Sequence, residues 1–164
     1  MGIKLIASDL DGTIVDKDYS ISSKNLKALD KIQKKHIKFV ICTGKSYAVS
    51  KKTCKQFKAT YGIFGNGTQI IDLKTEKEIW RNVLKTEDLL FTITMAKRYN
   101  FHVHLYTDTE IVTEKLEFMD LRNYIIKDRE ANDSLHFNYV NNILDYIENN
   151  DIPVYSAIVS SDSV

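Results

Sequence analysis

Two aspartates separated by one residue are the feature of the sequence that most clearly suggests chemistry. The segment Asp9-Leu10-Asp11-Gly12-Thr13 follows a short, mostly apolar run from Ile3 to Ala7. Such a run, ending abruptly in polar residues, predicts a buried strand with both carboxylates at its carboxyl end. Mg²⁺, which prefers oxygen ligands, would compensate the two like charges and also hold a phosphate. One carboxylate can then attack phosphorus while the other manages a proton.

Polar turns also follow the next two predicted strands. Thr43-Gly44-Lys45 comes after the apolar, β-branched run Ile37 to Cys42, and Gly65-Asn66-Gly67 follows Tyr61 to Phe64. Because ligands of parallel sheets bind at the carboxyl ends of the strands, we expect the three turns to form one site. Gly12 lets the backbone approach closely, and we expect its N–H to face a phosphate oxygen.

Two other binding motifs were considered for these segments, and the sequence fits neither of them. A calcium-binding EF-hand loop starting at Asp9 needs Gly at its sixth position and Glu at its twelfth, where the chain has Ile14 and Ser20. A Walker phosphate-binding loop ending at Lys45 needs Gly where the chain has Phe39. An ordinary turn after the first strand remains an alternative, and Asn-Gly at residue 66 is a strong turn dipeptide in its own right.

The elements that position these turns alternate between strand and helix. Ser22 is a good N-cap for a helix that ends near Lys35, with Leu26, Leu29 and Ile32 along one side. A second helix is predicted over Ser46 to Phe57, with Tyr47, Cys54 and Phe57 inward. Strands joined by helices through short connections are typical of a parallel sheet with right-handed crossovers. We therefore predict a Rossmann-like α/β core, followed by a hairpin of residues 68–72 and 78–81.

The remaining sequence predicts a second domain, so that residues 1–81 form the core and residues 82–164 a separate α/β domain. Thr86 is expected to cap a helix with Leu89, Leu90, Ile93 and Ala96 on one face. Further elements are predicted at Phe101 to Tyr106 (strand), near Ile111 (strand), at Leu116 to Ile126 (helix), at Ile143 to Asn149 (helix) and at Val154 to Val159 (strand).

The composition excludes several classes of partner. The 23 basic and 22 acidic residues give a formal net charge of +1, too small a field to indicate a nucleic acid or an anionic membrane. No apolar run reaches membrane-spanning length. The two cysteines, Cys42 and Cys54, and the lack of a signal-peptide pattern favour reduced thiols and a cytoplasmic location. The oligomeric state is not indicated.

These motifs resemble those of a known superfamily. Asp9 to Thr13 is similar to the first signature of the haloacid dehalogenase superfamily, and Thr43-Gly44-Lys45 to its second. The chain more closely resembles the Cof-type sugar phosphatases (subfamily IIB). The shared features are the helix entry at Ser20 to Lys24, the strand end at Ile41 to Lys45, the Asn66-Gly67 turn and an α/β insertion from about residue 82. The resemblance implies that residues 82–164 are a C2-type cap, which the chain leaves incomplete.

The resemblance also implies roles for individual residues. Asp9 would be the nucleophile and a magnesium ligand, and Asp11 the general acid and base that also binds the metal through its backbone carbonyl. Gly12, Thr43, Gly44, Lys45 and Asn66 would bind the phosphate or the substrate, with Thr43 holding a phosphate oxygen. Lys45 stands where the subgroup usually has arginine, so a bidentate contact becomes a point-charge contact here.

Two elements of the family pattern do not occur in the sequence. These are a lysine that neutralises the phosphate and a Gly-Asp-x-x-x-Asp motif that completes the magnesium shell, both of which normally follow the cap. The implied reaction is Mg²⁺-dependent hydrolysis of a small phosphate monoester, such as a sugar phosphate, through an aspartyl-phosphate. The alternatives are a phosphomutase of the same superfamily and a catalytically inactive binding domain. We expect little or no turnover from this chain alone.

Two histidines in the second domain form a weaker candidate site. His102 and His104 alternate with Phe101, Val103 and Leu105 on a predicted strand, so the two imidazoles share a face. No third metal ligand is evident nearby, so we expect a polar face of the cap sheet that looks toward the substrate rather than a metal site.

Overall fold

The structure is a computed structural model that describes residues 2–16, 20–115 and 136–161. The contacts divide the chain into two compact units, Met1–Arg81 and Asn82–Val164. Each unit has its own sheet and its own hydrophobic core. The interpretation of the second unit as a cap remains a prediction.

The sheet of the first unit has the order β1-β2-β3-β4-β5. Strand β1 pairs with β2 in parallel, and β2 pairs with β3 in parallel. The pairing then becomes antiparallel through β4 and β5, the predicted hairpin. The strands are β1 (Leu5–Asp9), β2 (Lys38–Cys42), β3 (Tyr61–Phe64), β4 (Gln69–Asp72) and β5 (Lys77–Arg81).

The first strand differs from its prediction in position and in burial. It was predicted over Ile3 to Ala7 as a buried strand, but it runs two residues later and includes Asp9. Within the described residues it pairs with β2 alone, and Ile3 and Leu5 are 70% and 48% exposed. The prediction of burial is therefore wrong, because an apolar run forms a buried strand only where other elements cover both of its faces.

Two capped helices form the crossovers between the parallel strands. Helix α1 (Ser23–Lys34) has Ser22 as its N-cap, whose hydroxyl accepts a hydrogen bond from the Asn25 N–H at 3.1 Å. Helix α2 (Tyr47–Phe57) has Ser46 as its N-cap. Each cap satisfies one of the backbone donors that a helix start leaves free.

The core of the first unit lies between these helices and the sheet. Its buried members include Leu29, Ile41, Cys54, Phe57 and Phe64, and the predicted inward positions of α2 are confirmed. The apolar stripe of α1 is narrower than predicted, because Leu26 is 46% exposed while Leu29 is buried.

The second unit has a four-stranded sheet of order β8-β7-β6-β9 with two described helices. Strand β7 pairs antiparallel with β6 and parallel with β8, a strand that the sequence pattern did not predict. The predicted helix at residues 116–126 lies outside the described residues. The elements are α3 (Thr86–Arg98), β6 (His102–Tyr106), β7 (Glu110–Thr113), β8 (His136–Tyr139), α4 (Ile143–Asn149) and β9 (Ser156–Ser160).

Two local predictions in this unit are wrong. Thr86 is the first helical residue and not the cap, since Lys85 occupies the N-cap position without a side-chain hydrogen bond. His104 does not lie on a polar face, because it is 0% exposed between neighbours that include the buried Val103 and Leu105. The predicted alternation puts His102 and His104 on one face of β6, but both faces of this strand are covered. Only His102 remains half-buried.

The architecture confirms the α/β fold class, with a parallel-containing sheet in the first unit. In the part of the chain that the structure describes, no helix has the length and apolar character needed to cross a membrane.

Candidate functional site

Parallel register aligns the ends of three strands. Asp9, the last residue of β1, is the partner of Cys42 in β2, and Cys42 is the partner of Ile63 in β3. The next residue of β2, Thr43, donates its N–H to the Ile63 carbonyl at 2.9 Å. The turns that contain Asp11, Thr43 and Asn66 therefore leave the sheet along one edge, as predicted.

A tight loop brings the chain back after Asp9. The Leu10 carbonyl accepts hydrogen bonds from the Ile14 and Val15 N–H groups at 3.1 and 2.9 Å. Leu10 and Val15 are each 1% exposed, so the loop is anchored by its apolar side chains while Asp9 and Asp11 remain exposed. Burial of the intervening residues thus presents the two carboxylates to solvent.

Gly12 serves this loop in a different way from the one predicted. Its N–H donates to the Val15 carbonyl at 2.8 Å, so in this structure it does not face outward toward a phosphate. Its φ of 72° lies in the left-handed region, which glycine adopts without steric cost. The role that the structure supports for Gly12 is to close the turn.

The Asp9 side chain is held by a residue that the sequence analysis left without a role. The Thr13 hydroxyl donates to Asp9 Oδ2 at 3.2 Å. This bond joins residues four apart in the loop and orients the carboxylate. A hydroxyl within the same motif was the available sequence signal, but its direction depends on the loop conformation.

Lys45 forms an ion pair with Asp11. Lys45 Nζ lies 2.6 Å from Asp11 Oδ1, and the two side chains are 22% and 42% exposed. The pair joins the turn after β2 to the loop after β1. The cation predicted to contact substrate therefore neutralises the Asp11 carboxylate in this structure.

Thr43, Gly44 and Asn66 are packed together where β2 and β3 end. Thr43 is 7% exposed, and its hydroxyl accepts a hydrogen bond from the Lys45 N–H at 3.2 Å. A Cβ placed on Gly44 would lie only 2.8 Å from Asn66 Oδ1, so a larger residue here would move the Asn66 amide. Asn66 itself has a φ of 58°, in the left-handed region that asparagine tolerates better than most residues.

An open cavity of about 360 Å³ lies at these strand ends. Among the predicted residues, Asp9, Thr43, Gly44 and Asn66 line it. Asp11, Gly12 and Lys45 are not among its lining residues. The sequence analysis did not assign the other lining residues, Cys42, Ile63 and Gly67, which come from the same strand ends.

The Asp9 carboxylate affects the ionisation of a cysteine that lines the same cavity. The pKa of Cys42 is raised, first by burial and then by the negative charge of Asp9. Both effects disfavour the thiolate, so the thiol next to Asp9 stays protonated at neutral pH. Of the two side chains, only the Asp9 carboxylate carries a negative charge into this cavity.

The donor set can be compared with the needs of Mg²⁺. Within residues 2–16, 20–115 and 136–161, no group of three or more His, Cys, Asp or Glu side chains could hold a metal ion. Asp9 and Asp11 supply the carboxylate oxygens at the site among the described residues. Mg²⁺ is commonly held by one or two carboxylates together with water and substrate phosphate, so the pair fits a partial magnesium shell.

Comparison with known proteins identifies the family. The family model for haloacid dehalogenase-like hydrolases matches residues 6–163, and the chain belongs to this family. A putative phosphatase of Streptococcus pyogenes is 29% identical over 117 residues, covering 69% of this chain and 44% of the relative. A Bacillus subtilis protein, 5-amino-6-(5-phospho-D-ribitylamino)uracil phosphatase, is 29% identical over 99 residues, covering 60% of this chain and 39% of the relative.

Solved structures share the fold. A haloacid dehalogenase-like hydrolase from B. subtilis has a TM-score of 0.81 at 19% identity, covering 98% of this chain and 62% of that chain. A subclass IIB sugar phosphatase has a TM-score of 0.69 at 18% identity, covering 91% of this chain and 56% of that chain. The resemblance to Cof-type hydrolases is confirmed. The chain spans less than two thirds of the length of each of these four proteins.

Proposed function

We propose that this chain provides the nucleophile half of a Mg²⁺-dependent phosphate monoester hydrolase. The observation that carries the proposal is the grouping of Asp9, Thr43 and Asn66 around one open cavity at the strand ends. A carboxylate that faces a cavity beside a hydroxyl and an amide can attack a phosphoryl group whose oxygens those groups hold. The phosphatase names of the sequence relatives support the same reaction class.

The proposed reaction has two steps. An Asp9 carboxylate oxygen attacks phosphorus and the bond from phosphorus to the ester oxygen breaks. Asp11, which takes up a proton from solvent once Lys45 moves to the phosphate, gives that proton to the departing oxygen. Asp11 then takes a proton from water, whose oxygen attacks the aspartyl-phosphate, releasing inorganic phosphate and restoring the Asp9 carboxylate. Thr13 favours the first step because its hydrogen bond fixes one Asp9 oxygen.

Lys45 and Thr43 would act on the phosphoryl group. Lys45 Nζ is bound to Asp11 at 2.6 Å, so a phosphate that enters the cavity competes with Asp11 for the same cation. Release of Lys45 toward the phosphate would free Asp11 for proton transfer. The Thr43 hydroxyl, which already accepts the Lys45 N–H bond, retains its own proton to donate to a phosphate oxygen.

A bound Mg²⁺ would supply charge neutralisation and hold a phosphate oxygen close to Asp9. The residues of this chain that would hold it are Asp9, through its carboxylate, and Asp11. Both are exposed. The rest of the shell must come from water, substrate or residues that this sequence does not contain.

The substrate class proposed is a small phosphorylated metabolite, such as a sugar phosphate. The B. subtilis relative is named for a substrate with a phosphorylated sugar-alcohol chain, which supports this class. The cavity of about 360 Å³ lies at the lower end of the range for small-molecule sites.

Trapping the covalent intermediate tests the nucleophile separately from turnover. The chain is incubated with acetyl phosphate and Mg²⁺, quenched in acid, and analysed by peptide mass spectrometry. We expect a Mg²⁺-dependent phosphoryl group on Asp9 and none in Asp9→Asn, with the exposed Asp16→Asn as the control that keeps the label. A label on another residue, or its persistence in Asp9→Asn, would overturn the proposal.

Steady-state phosphate release from a panel of sugar phosphates provides the second readout. We expect turnover near the buffer background, because the charge-neutralising lysine and the Gly-Asp-x-x-x-Asp motif are not in the sequence. Robust turnover would show that catalysis does not require the charge-neutralising lysine or the Gly-Asp-x-x-x-Asp motif. Product analysis in isotopically labelled water separates hydrolysis from transfer to a second hydroxyl, the phosphomutase reaction.

A further inference from the structure

A second cavity in the first unit lies along α2, away from the strand ends that carry Asp9. Its volume is about 360 Å³, and none of its lining residues lines the Asp9 cavity. Helix α2, the segment that joins it to β3, and the end of β4 contribute to the lining. The catalytic proposal assigns no role to this cavity.

Four lysines line the cavity: Lys51, Lys55, Lys58 and Lys74. The favourable interaction of cations with a helix C-terminus explains the positions of Lys55 and Lys58. It does not explain Lys74, which lies in the β4–β5 turn and lines the same cavity. Lysines that converge from separate elements repel one another unless an anion lies between them.

The carboxylates nearby leave an excess of positive charge. Glu76 forms ion pairs with two of the lysines. Its Oε2 lies 2.6 Å from Lys51 Nζ, and its Oε1 lies 3.2 Å from Lys55 Nζ. Asp72 is committed to the turn, where it accepts the Lys74 and Thr75 N–H groups at 2.9 and 3.0 Å. Within the described ranges, Lys58 and Lys74 form no ion pair within 4 Å. The pKa of Asp72 is lowered first by the Thr75 N–H and to a smaller extent by the charge of Lys74, a longer-range attraction that leaves the Lys74 ammonium, like that of Lys58, able to bind an anion.

The floor of the cavity is apolar. Tyr47, Cys54, Ala59 and Leu73 line it, and Lys51 Nζ lies 5.6 Å from the centroid of the Tyr47 ring. Burial raises the pKa of the Cys54 thiol to about 12, so this sulfur is a neutral, apolar surface at physiological pH. An occupant therefore meets an apolar floor and a cationic rim.

We propose that this cavity binds a small organic acid, with an apolar ring or chain against Tyr47 and Leu73 and an anionic group between Lys58 and Lys74. Inorganic phosphate alone fits less well, because it offers nothing to the apolar floor. An apolar molecule without charge leaves the lysines uncompensated. This second cavity shares no residue with the Asp9 site, so the proposal made for it does not depend on the proposed phosphatase activity.

The probe for the test is 8-anilinonaphthalene-1-sulfonate, which combines two aromatic groups with one sulfonate. Fluorescence titration of the folded chain is expected to show saturable binding at one site. In amide chemical-shift mapping, the largest changes should fall on residues 58–60 and 73–75. N-phenyl-1-naphthylamine, the same aromatic body without the sulfonate, should bind about tenfold more weakly, since it loses the charge-assisted contacts.

Charge reversal separates this site from general attraction to a basic protein. Lys58→Glu/Lys74→Glu should weaken binding by about tenfold or more, for the same reason. The matched control is Lys24→Glu/Lys27→Glu on the exposed face of α1, which changes the net charge equally and should leave binding unchanged. Ala59→Leu, which fills the floor, should also weaken binding, and circular dichroism checks that each variant is folded.

Three results would each overturn the inference. The first is binding that both charge reversals weaken equally, which indicates a general electrostatic effect. The second is chemical-shift changes centred on residues outside the lining. The third is equal affinity for the charged and the uncharged probe.

Discussion

Gly44 and Asn66 constrain each other at the residue scale. The Asn66 side chain occupies the space that a Cβ on Gly44 would need, and both residues line the Asp9 cavity. The position of the amide that faces the cavity is therefore set by the absence of a side chain on the neighbouring turn. Asparagine at residue 66 serves both the left-handed turn and the cavity, so the two interpretations of this residue are compatible.

Gly44→Ala tests this constraint. The added methyl group must displace Asn66 Oδ1, the end of a flexible side chain, and we expect the free energy of unfolding to fall by up to about 1 kcal/mol. In an Asn66→Gly background, which keeps the left-handed turn and removes the amide, the cost should largely disappear. Urea unfolding of the four chains in a double-mutant cycle measures the coupling.

Gly12→Ala is the matched control for this cycle. A Cβ on Gly12 would meet no atom within 4 Å, so its cost arises from the φ of 72° alone. Asn66→Gly should not relieve that cost. Equal costs of Gly44→Ala in both backgrounds would contradict the proposed contact.

Part of the site could be predicted because three strand ends were recognisable. The alternation of apolar runs and polar turns was enough to bring Asp9, Thr43 and Asn66 together. The ion pair of Lys45 with Asp11 and the inward direction of the Gly12 N–H were not predictable. Both depend on how the loop returns to Val15, which the pattern of residue types does not specify.

At the scale of elements, prediction succeeded where burial and periodicity agreed. Strand β3 and helix α4 have the predicted bounds, and α2 begins one residue later than predicted, with Ser46 as its N-cap. Strand β8 was missed although polar and aromatic residues alternate along His136–Tyr139, because it is only four residues long and its parallel pairing with β7 depends on residues distant in sequence. The burial of β6 on both faces was missed because its histidines suggested a polar face.

The buried histidine of β6 predicts a pH dependence of stability. The pKa of His104 is lowered, first by burial and then by His102. As pH falls through about 6.5, the unfolded chain takes up a proton at this residue while the folded chain does not. The free energy of unfolding should therefore decrease between about pH 6.5 and the lowered pKa of the folded state.

Urea midpoints at about pH 7.5 and about pH 5.5 measure this effect. We expect His104→Leu to reduce the difference between the two midpoints relative to the unaltered chain. His36→Asn is the control, because His36 is exposed in a left-handed turn and asparagine tolerates that conformation. The same pH dependence in His104→Leu as in the unaltered chain would exclude His104 as its source.

At the scale of the whole molecule, the described core residues form two clusters with no member in common. Ile41 is 0% exposed in the first cluster, and Ile93 is 0% exposed in the second. Each cluster packs within one of the two units defined by the contacts. Loss of packing in one cluster should therefore act mainly on its own unit.

Hydrogen exchange of two matched variants checks this expectation. Ile93→Ala and Ile41→Ala should each cost about 2–5 kcal/mol in the unit concerned. Ile93→Ala should speed exchange in β6 and α4 and leave β2 and β3 protected, whereas Ile41→Ala should do the reverse. Faster exchange throughout the chain in both variants would indicate a single cooperative unit.

The outer edge of β1 has a consequence for the behaviour of the chain at high concentration. Within the described residues, this strand presents unpaired backbone groups along one side, and Ile3 and Leu5 add exposed apolar surface beside them. Such an edge is a template for strand addition by another chain, which is the first step of aggregation. Because Asp9 is the last residue of β1, strand addition at this edge would also affect access to the proposed nucleophile.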